Sequence, residues 1–393
     1  MDRTFPGRFL PAVLLTLLLS ALGVQSLFAI PAFARKYRMS CKTCHLAIPK
    51  LKPYGDDFAA NGFELADQDN ARYYVDTGDD KLSLIREFPI AARFDGFLTY
   101  NDYAGKKVDF DAPWVIKLLS GGRLADHLAY YFYFLMNEQG EVVGVEDAYV
   151  MFNNLLKTDF DIYVGQFQIC DPLFKRETRL EFEDYRIYKA SPGMSGINLE
   201  YDRGVMFTWG GKKGTDLVLE VLNGNGIGQA DESLNYDQDK YKNFLGRISQ
   251  ELHKKVRVGA FAFTGRERMD GNLNKVWMAG PDATIDFSDK CQLNLQYLER
   301  RDDNPFFSAG DPPEIKTRGG FAELVVAPKG DESRLFLVGI WNRVDSDLDE
   351  LDYHSLSLHM TYLLRRNFRL VSEFGREFEN KNNRLGLGFV AAF

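Results

Sequence analysis

From about residue 88 to the end of the chain, apolar and polar residues alternate with a period of two. Ile90, Ala92, Phe94, Gly96 and Leu98 alternate with Ala91, Arg93, Asp95, Phe97 and Thr99. Leu217, Leu219 and Val221 alternate with Asp216, Val218 and Glu220, and Leu293, Leu295 and Tyr297 with Gln292, Asn294 and Gln296. Successive strand residues face opposite sides of a sheet, so each segment predicts a strand with one apolar and one polar face. Segments approach the ~10 residues that a tilted membrane-crossing strand needs. Connections alternate in length. Short ones are expected near Gly121–Arg123, Asn153–Lys157, Gly210–Gly214, His253–Lys255, Ser288–Lys290, Pro328–Ser333 and Arg365–Asn367. Long ones are expected near 101–112, 167–195, 223–242, 265–274, 300–314, 343–351 and 377–383, with 137–141 shorter than its class. The chain closes on Leu385, Leu387, Phe389, Ala391 and a terminal Phe393. The pattern predicts an all-β fold: an antiparallel outer-membrane β-barrel over residues 88–393. It would have about 16 strands around an aqueous lumen. An even strand number puts both chain ends on the periplasmic side. Charge agrees, with Lys212, Lys213, Lys254, Lys255, Arg365 and Arg366 in inner turns and Asp302, Asp303, Asp345, Asp347, Asp349, Glu350 and Asp352 in outer loops.

The start of the chain carries a different pattern. Arg3 and Arg8 precede a nearly continuous apolar run, Phe9 to Val24, followed by the small residues Ser26, Ala29, Ala32 and Ala34. This predicts an export signal over residues 1–29. No long apolar run follows residue 35, so helical membrane spans are not expected. The net charge of −8 gives no basis for binding nucleic acid. Nucleophilic triads, phosphate loops and nucleotide fingerprints are not found, and no catalytic side chain is assigned.

Between these two patterns stands Cys41-Lys42-Thr43-Cys44-His45. Two thiols at this spacing add to the two vinyl groups of a haem, and the adjacent imidazole is then forced onto the iron. A thioredoxin-like redox pair needs a βαβ context, and a zinc site wants a second ligand pair; neither is present. Cys41 and Cys44 are therefore read as covalent attachment points for one haem c, and His45 as an axial ligand of its iron. The sixth position is open in the sequence: His127, Met136, a lysine or water are candidates, and Met39 is too close to Cys41. The haem segment, residues 30–75, contains Pro49, Pro53, Gly55 and Asn61-Gly62 among apolar residues. This predicts one or two short helical turns. A segment this small rarely supports its own core, so the barrel mouth or lumen is expected to supply part of it. Cys170 and Cys291 are expected in an outer loop and near an inner turn, too far apart to be bridged.

The stretch Ala29-Ile30-Pro31-Ala32-Phe33-Ala34-Arg35, then Cys41-x-x-Cys44-His45, then a porin-like remainder, resembles the fused monohaem cytochrome–porins of iron-oxidising bacteria. Lys36-Tyr37-Arg38 departs from that family's usual Gln-Thr-Gly-like stretch. Pro49-Lys50-Leu51, Gly55 and Asn61-Gly62 are similar to a broader group of porin-linked haem proteins. The resemblance implies an outer-membrane electron conduit. It would pass electrons between an extracellular donor or acceptor, ferrous iron among them, and periplasmic cytochromes or other carriers. If it is an enzyme, it is an oxidoreductase of the iron-oxidising type. Two alternatives stay open: a diffusion porin with a haem-bearing plug or sensor, and a haem enzyme with an open iron site.

Overall fold

The computed structural model describes residues 32–46, 50–65, 74–102, 108–175, 180–237, 239–310 and 312–393. The export signal expected over residues 1–29 lies outside them. After a two-stranded ribbon, β1 (Tyr74–Val75) and β2 (Leu84–Ile85), sixteen strands form a closed barrel. They are β3 (Ile90–Asn101), β4 (Asp109–Ala125), β5 (Leu128–Glu138), β6 (Gly144–Phe152), β7 (Asp159–Gln168), β8 (Tyr201–Gly211), β9 (Thr215–Leu222) and β10 (Asn243–His253). The second half is β11 (Val256–Met269), β12 (Asn272–Ser288), β13 (Cys291–Asp302), β14 (Ile315–Val326), β15 (Leu335–Ser346), β16 (Tyr353–Arg365), β17 (Phe368–Glu377) and β18 (Asn382–Ala392). Each pairs antiparallel with its sequence neighbour, and β18 closes on β3 with Leu387 opposite Leu98. The seam is completed by reciprocal backbone bonds between Ala92 and Phe393, 2.7 and 2.9 Å long. No helix among the described residues is long and apolar enough to cross a membrane; this barrel has strands for that task.

The alternation has the expected result. Along β16, Leu356, Leu358, Met360, Tyr362 and Leu364 point outward and are exposed, while Ser355, Ser357, His359 and Thr361 point inward and are buried. Leu337, Trp341, Leu370, Phe374 and Leu387 extend the apolar outer surface over neighbouring strands. A contiguous belt of this kind is a surface for hydrocarbon rather than water.

Three features differ from the sequence-based expectation. The connection expected to be long near 265–274 is a tight turn through Asp270 and Gly271, whose φ values of 49° and 85° are both positive. Asp-Gly with two left-handed residues is the preferred two-residue hairpin. The turn expected at Gly121–Arg123 lies at residues 126–127 instead, and both glycines belong to β4. A Cβ on Gly121 would stand 3.0 Å from the ring of Phe63, so this glycine makes room inside the barrel. Finally, the lumen is filled rather than open. On the wall from β10 to β17, inward residues such as Arg247, Asp282, Gln296, Arg300, Glu323 and Asn342 are at most 5% exposed.

Two chain segments fill it. In the connection between β7 and β8, the described residues 169–175 and 180–200 fold inward instead of standing above the rim. This connection carries a short helix, α3 (Arg186–Lys189). Glu373 accepts the backbone N–H groups of Glu181, Phe182 and Glu183 at 3.0–3.1 Å. Arg300 donates to the carbonyls of Ala190 and Ile197 at 2.8 and 2.6 Å, and Tyr185 stacks on Phe321 with ring centroids 4.2 Å apart. Cys170, expected in an outer loop, is fully buried in this segment, and Cys291 begins β13 beside a short turn. None of the four cysteines forms a disulfide. The second filler is the segment preceding the barrel.

Replacing Leu358, at mid-strand on the outer face, with Arg should cost about 2–4 kcal/mol in a bilayer. The same change at Leu364, near the strand end, should cost about 0–1 kcal/mol. Denaturant titration of lipid-refolded protein measures both; equal costs would refute a lipid-facing belt.

Candidate functional site

The segment before the barrel folds as two short helices around a tight turn. These are α1 (Ala32–Tyr37) and α2 (Pro53–Ala60), with a single 3₁₀ turn at Cys41–Thr43 between them. Ser40 caps that turn through its hydroxyl, which accepts the Lys42 N–H. The Cys41 carbonyl accepts the N–H groups of both Cys44 and His45, at 3.3 and 2.9 Å. The chain then doubles back: Leu46 N–H donates to the Lys50 carbonyl, and Lys52 N–H to the Cys44 carbonyl at 2.8 Å. Pro53 starts α2, where its missing N–H costs nothing. Gly55 is required one turn later, because a Cβ there would lie 2.5 Å from the Cys44 carbonyl oxygen. Asn61-Gly62 ends the helix, with Gly62 at φ 71°.

An aromatic cluster joins this plug to the barrel wall. Phe33 stacks on Phe63 at 4.9 Å, Phe63 on Tyr131 of β5 at 5.4 Å, and Tyr37 meets Phe58 edge-on. The Tyr37 hydroxyl donates to the Phe63 carbonyl at 2.6 Å. Ion pairs add to it. Arg123 holds Glu64 at 2.6 Å, Lys52 holds Asp331 at 2.5 Å, and Lys42 pairs with Glu332. The latter two carboxylates lie in the short connection between β14 and β15, so the plug sits in the mouth on the short-turn side. Lys50 reaches furthest in. Its ammonium lies 2.7 Å from Glu323 of β14 and 2.6 Å from the hydroxyl of Tyr185 on the inward segment, in a nearly dry setting.

Plug and wall enclose a cavity of about 300 Å³ that opens at one side. That volume lies at the lower end of the roughly 300–1000 Å³ of ordinary ligand pockets. Cys41, Cys44 and His45 all line it, so the structure brings together the three residues singled out by spacing. Apolar lining comes from the plug, through Phe33, Met39, Leu51, Phe58 and Phe63. The barrel contributes charge: Arg93, Lys117, Arg366 and Arg369, with Lys175 from the inward segment, against the carboxylates of Asp147 and Asp171. Sequence reasoning missed these cations, which are scattered over the chain and meet only when the barrel closes. Burial pushes both the Cys41 and the Cys44 thiols above the usual range, which keeps them as neutral S–H groups at neutral pH.

His127 and Met136, candidates for a sixth ligand, are not among the described residues lining the cavity. His127 sits in the β4–β5 turn, its Nδ1 2.8 Å from the Asn153 carbonyl, and Met136 points outward from β5. Met39 and Lys117 do line it.

No family model and no curated protein matches the sequence. Solved structures do match in fold. The anion-selective porin from Comamonas acidovorans aligns with a TM-score of 0.57 at 11% identity, over 78% of this chain and 99% of that one. A loop-deletion mutant of OmpT from Vibrio cholerae gives 0.56 at 11% identity, over 78% and 99%. The outer-membrane channel DcaP of Acinetobacter baumannii gives 0.54 at 14% identity, over 77% and 96%. The fold is the porin barrel. At such identity the likeness extends to architecture alone, and the plug with its cysteines has to be read from its own chemistry.

The donor set suits a covalently held haem: two neutral thiols, an imidazole, an apolar plug face and an opposite wall rich in cations. Removing the deepest tie of the plug should loosen it. Lys50→Met leaves Glu323 buried without its ammonium, a change that costs about 3–5 kcal/mol for a broken buried pair. The expected outcome is faster proteolysis within residues 32–65 while the barrel stays resistant. Unchanged cleavage kinetics would show that the aromatic cluster alone holds the plug.

Proposed function

We propose that this chain is a bacterial outer-membrane barrel that carries one haem c on its periplasmic plug. It passes electrons between a donor or acceptor on the outer side, ferrous iron among them, and a periplasmic electron carrier. The observation that carries the reading is the position of Cys41, Cys44 and His45 on the wall of a cavity inside a filled barrel. The apolar outer belt supports the membrane location, and the short turns with both chain ends mark the periplasmic side.

When bound, the haem supplies a one-electron iron couple; the protein supplies position, insulation and charge. Cys41 and Cys44 would hold it by thioether bonds and His45 would ligate the iron. Phe33, Phe58 and Phe63 keep water from the plug face. Arg93, Lys117, Arg366 and Arg369, which line the same cavity, would supply cationic partners for the haem carboxylates. Buried lumen residues from β10 to β17 support a conduit over an open pore, since a water-filled channel leaves its inward side chains wet.

A second reading is a diffusion porin closed by a haem-bearing plug. The fold shared with an anion-selective porin and with DcaP, described as a channel, favours it.

Proteoliposomes with a redox dye inside and ferrous iron outside separate the two. On the conduit reading, wild-type protein reduces the dye, and the Cys41→Ser, Cys44→Ser variant does not. Haem reduced by another donor but never by iron would remove iron and keep the conduit. Free sugar entry in liposome swelling, equal for wild type and the variant, would establish the porin reading instead.

A further inference from the structure

Glu181 lies on the inward segment and is the only described carboxylate paired with two arginines of the cavity wall. Arg369 of β17 holds it at 2.8 Å, and Arg93 of β3 holds its other oxygen. Both arginines line the cavity that contains Cys41, Cys44 and His45. All three side chains are largely buried, at 9% exposure for Glu181, 14% for Arg93 and 4% for Arg369. Arg93 also pairs with Asp95 at 2.5 Å. The backbone around Glu181 is fixed. Its N–H donates to Glu373 at 3.0 Å, its carbonyl accepts from the Trp114 indole at 3.3 Å, and Phe182 packs against Trp114 and Phe97. The anchored backbone holds the carboxylate within reach of both arginines.

We infer that Glu181 is a positioning residue that tunes the redox potential of a haem in this cavity. It does so by setting how much positive charge Arg93 and Arg369 present to that haem. The inference rests on the haem reading above. Ferrous haem gives up one electron to become ferric and gains one positive charge. A negative charge held nearby at low dielectric favours the ferric form and lowers the potential, with little screening by salt. Coupling of this kind is reciprocal. The oxidation state of the haem therefore biases the inward segment by the same free energy, and residues 169–200 link the long-loop side of the barrel to the redox site.

The test is a potentiometric titration of the haem absorbance in full-length, haem-loaded protein in detergent, with soluble mediators. Glu181→Gln should move the midpoint to more positive values, beyond replicate scatter. Glu181→Asp, which keeps the charge, should return it toward wild type. Asp95→Asn relieves Arg93 from the opposite side and should raise the midpoint in the same sense, which keeps the inference testable if Glu181→Gln does not fold. A loaded Glu181→Gln protein with an unchanged midpoint would overturn the inference while leaving the haem reading intact. So would equal shifts in the Gln and Asp variants. A wild-type chain that carries no haem would overturn both.

Discussion

Glu323 is where the three parts of this molecule meet. It projects from β14 into the lumen, fully buried, and takes Lys50 from the plug at 2.7 Å, the Tyr185 hydroxyl from the inward segment at 3.1 Å and Asn294 from the neighbouring strand at 2.9 Å. A carboxylate withdrawn from water demands such partners, because its desolvation penalty is otherwise several kcal/mol. The demand reaches outward from there. Lys50 needs the antiparallel pairing of His45 with Leu51 to carry it in, and the Lys52 N–H that follows holds the Cys44 carbonyl beside the start of α2. Tyr185 needs the inward segment folded down against Phe321. The wall, the plug and the inward segment are thus bound by one set of obligations rather than stacked independently.

A plug of this size has little interior of its own. Its aromatic residues find one by sharing rings with the barrel: Phe33 on Phe63, and Phe63 on Tyr131. Gly121 and Gly62 give up side chains at the contact, the first beside the Phe63 ring and the second against Ala129. The cavity is bounded on one side by what the plug lacks, a second wall. The barrel supplies it with arginines and lysines that would be costly to bury without the carboxylates set among them.

The barrel was legible because alternation is local: each strand announces its own two faces, as β16 does with Leu356, Leu358 and Met360 against Ser355, Ser357 and His359. That Cys41, Cys44 and His45 would share one site was legible for the same reason, with three chemical groups inside five residues. What could not be read was whatever depends on closure. Gly121 looks like a turn residue until Phe63 is known to lie against it. Residues 169–175 and 180–200 have the composition of a surface connection, and only the inward polar row of the far wall explains why they descend. Arg93, Lys117, Arg366 and Arg369 are ordinary charges in sequence and become one surface only around the lumen. Asp270-Gly271 is the exception, a local signal overruled by the expected alternation of loop lengths.

The seam between Ala92 and Phe393 gives the molecule a calendar. The plug is made first, yet the wall it leans on is complete only when the last residue of the chain has paired with the first barrel strand. Until then the cavity that Cys41, Cys44 and His45 line lacks its far wall. Closing the barrel ends that period. The same contact that finishes the fold also completes the cavity around its plug.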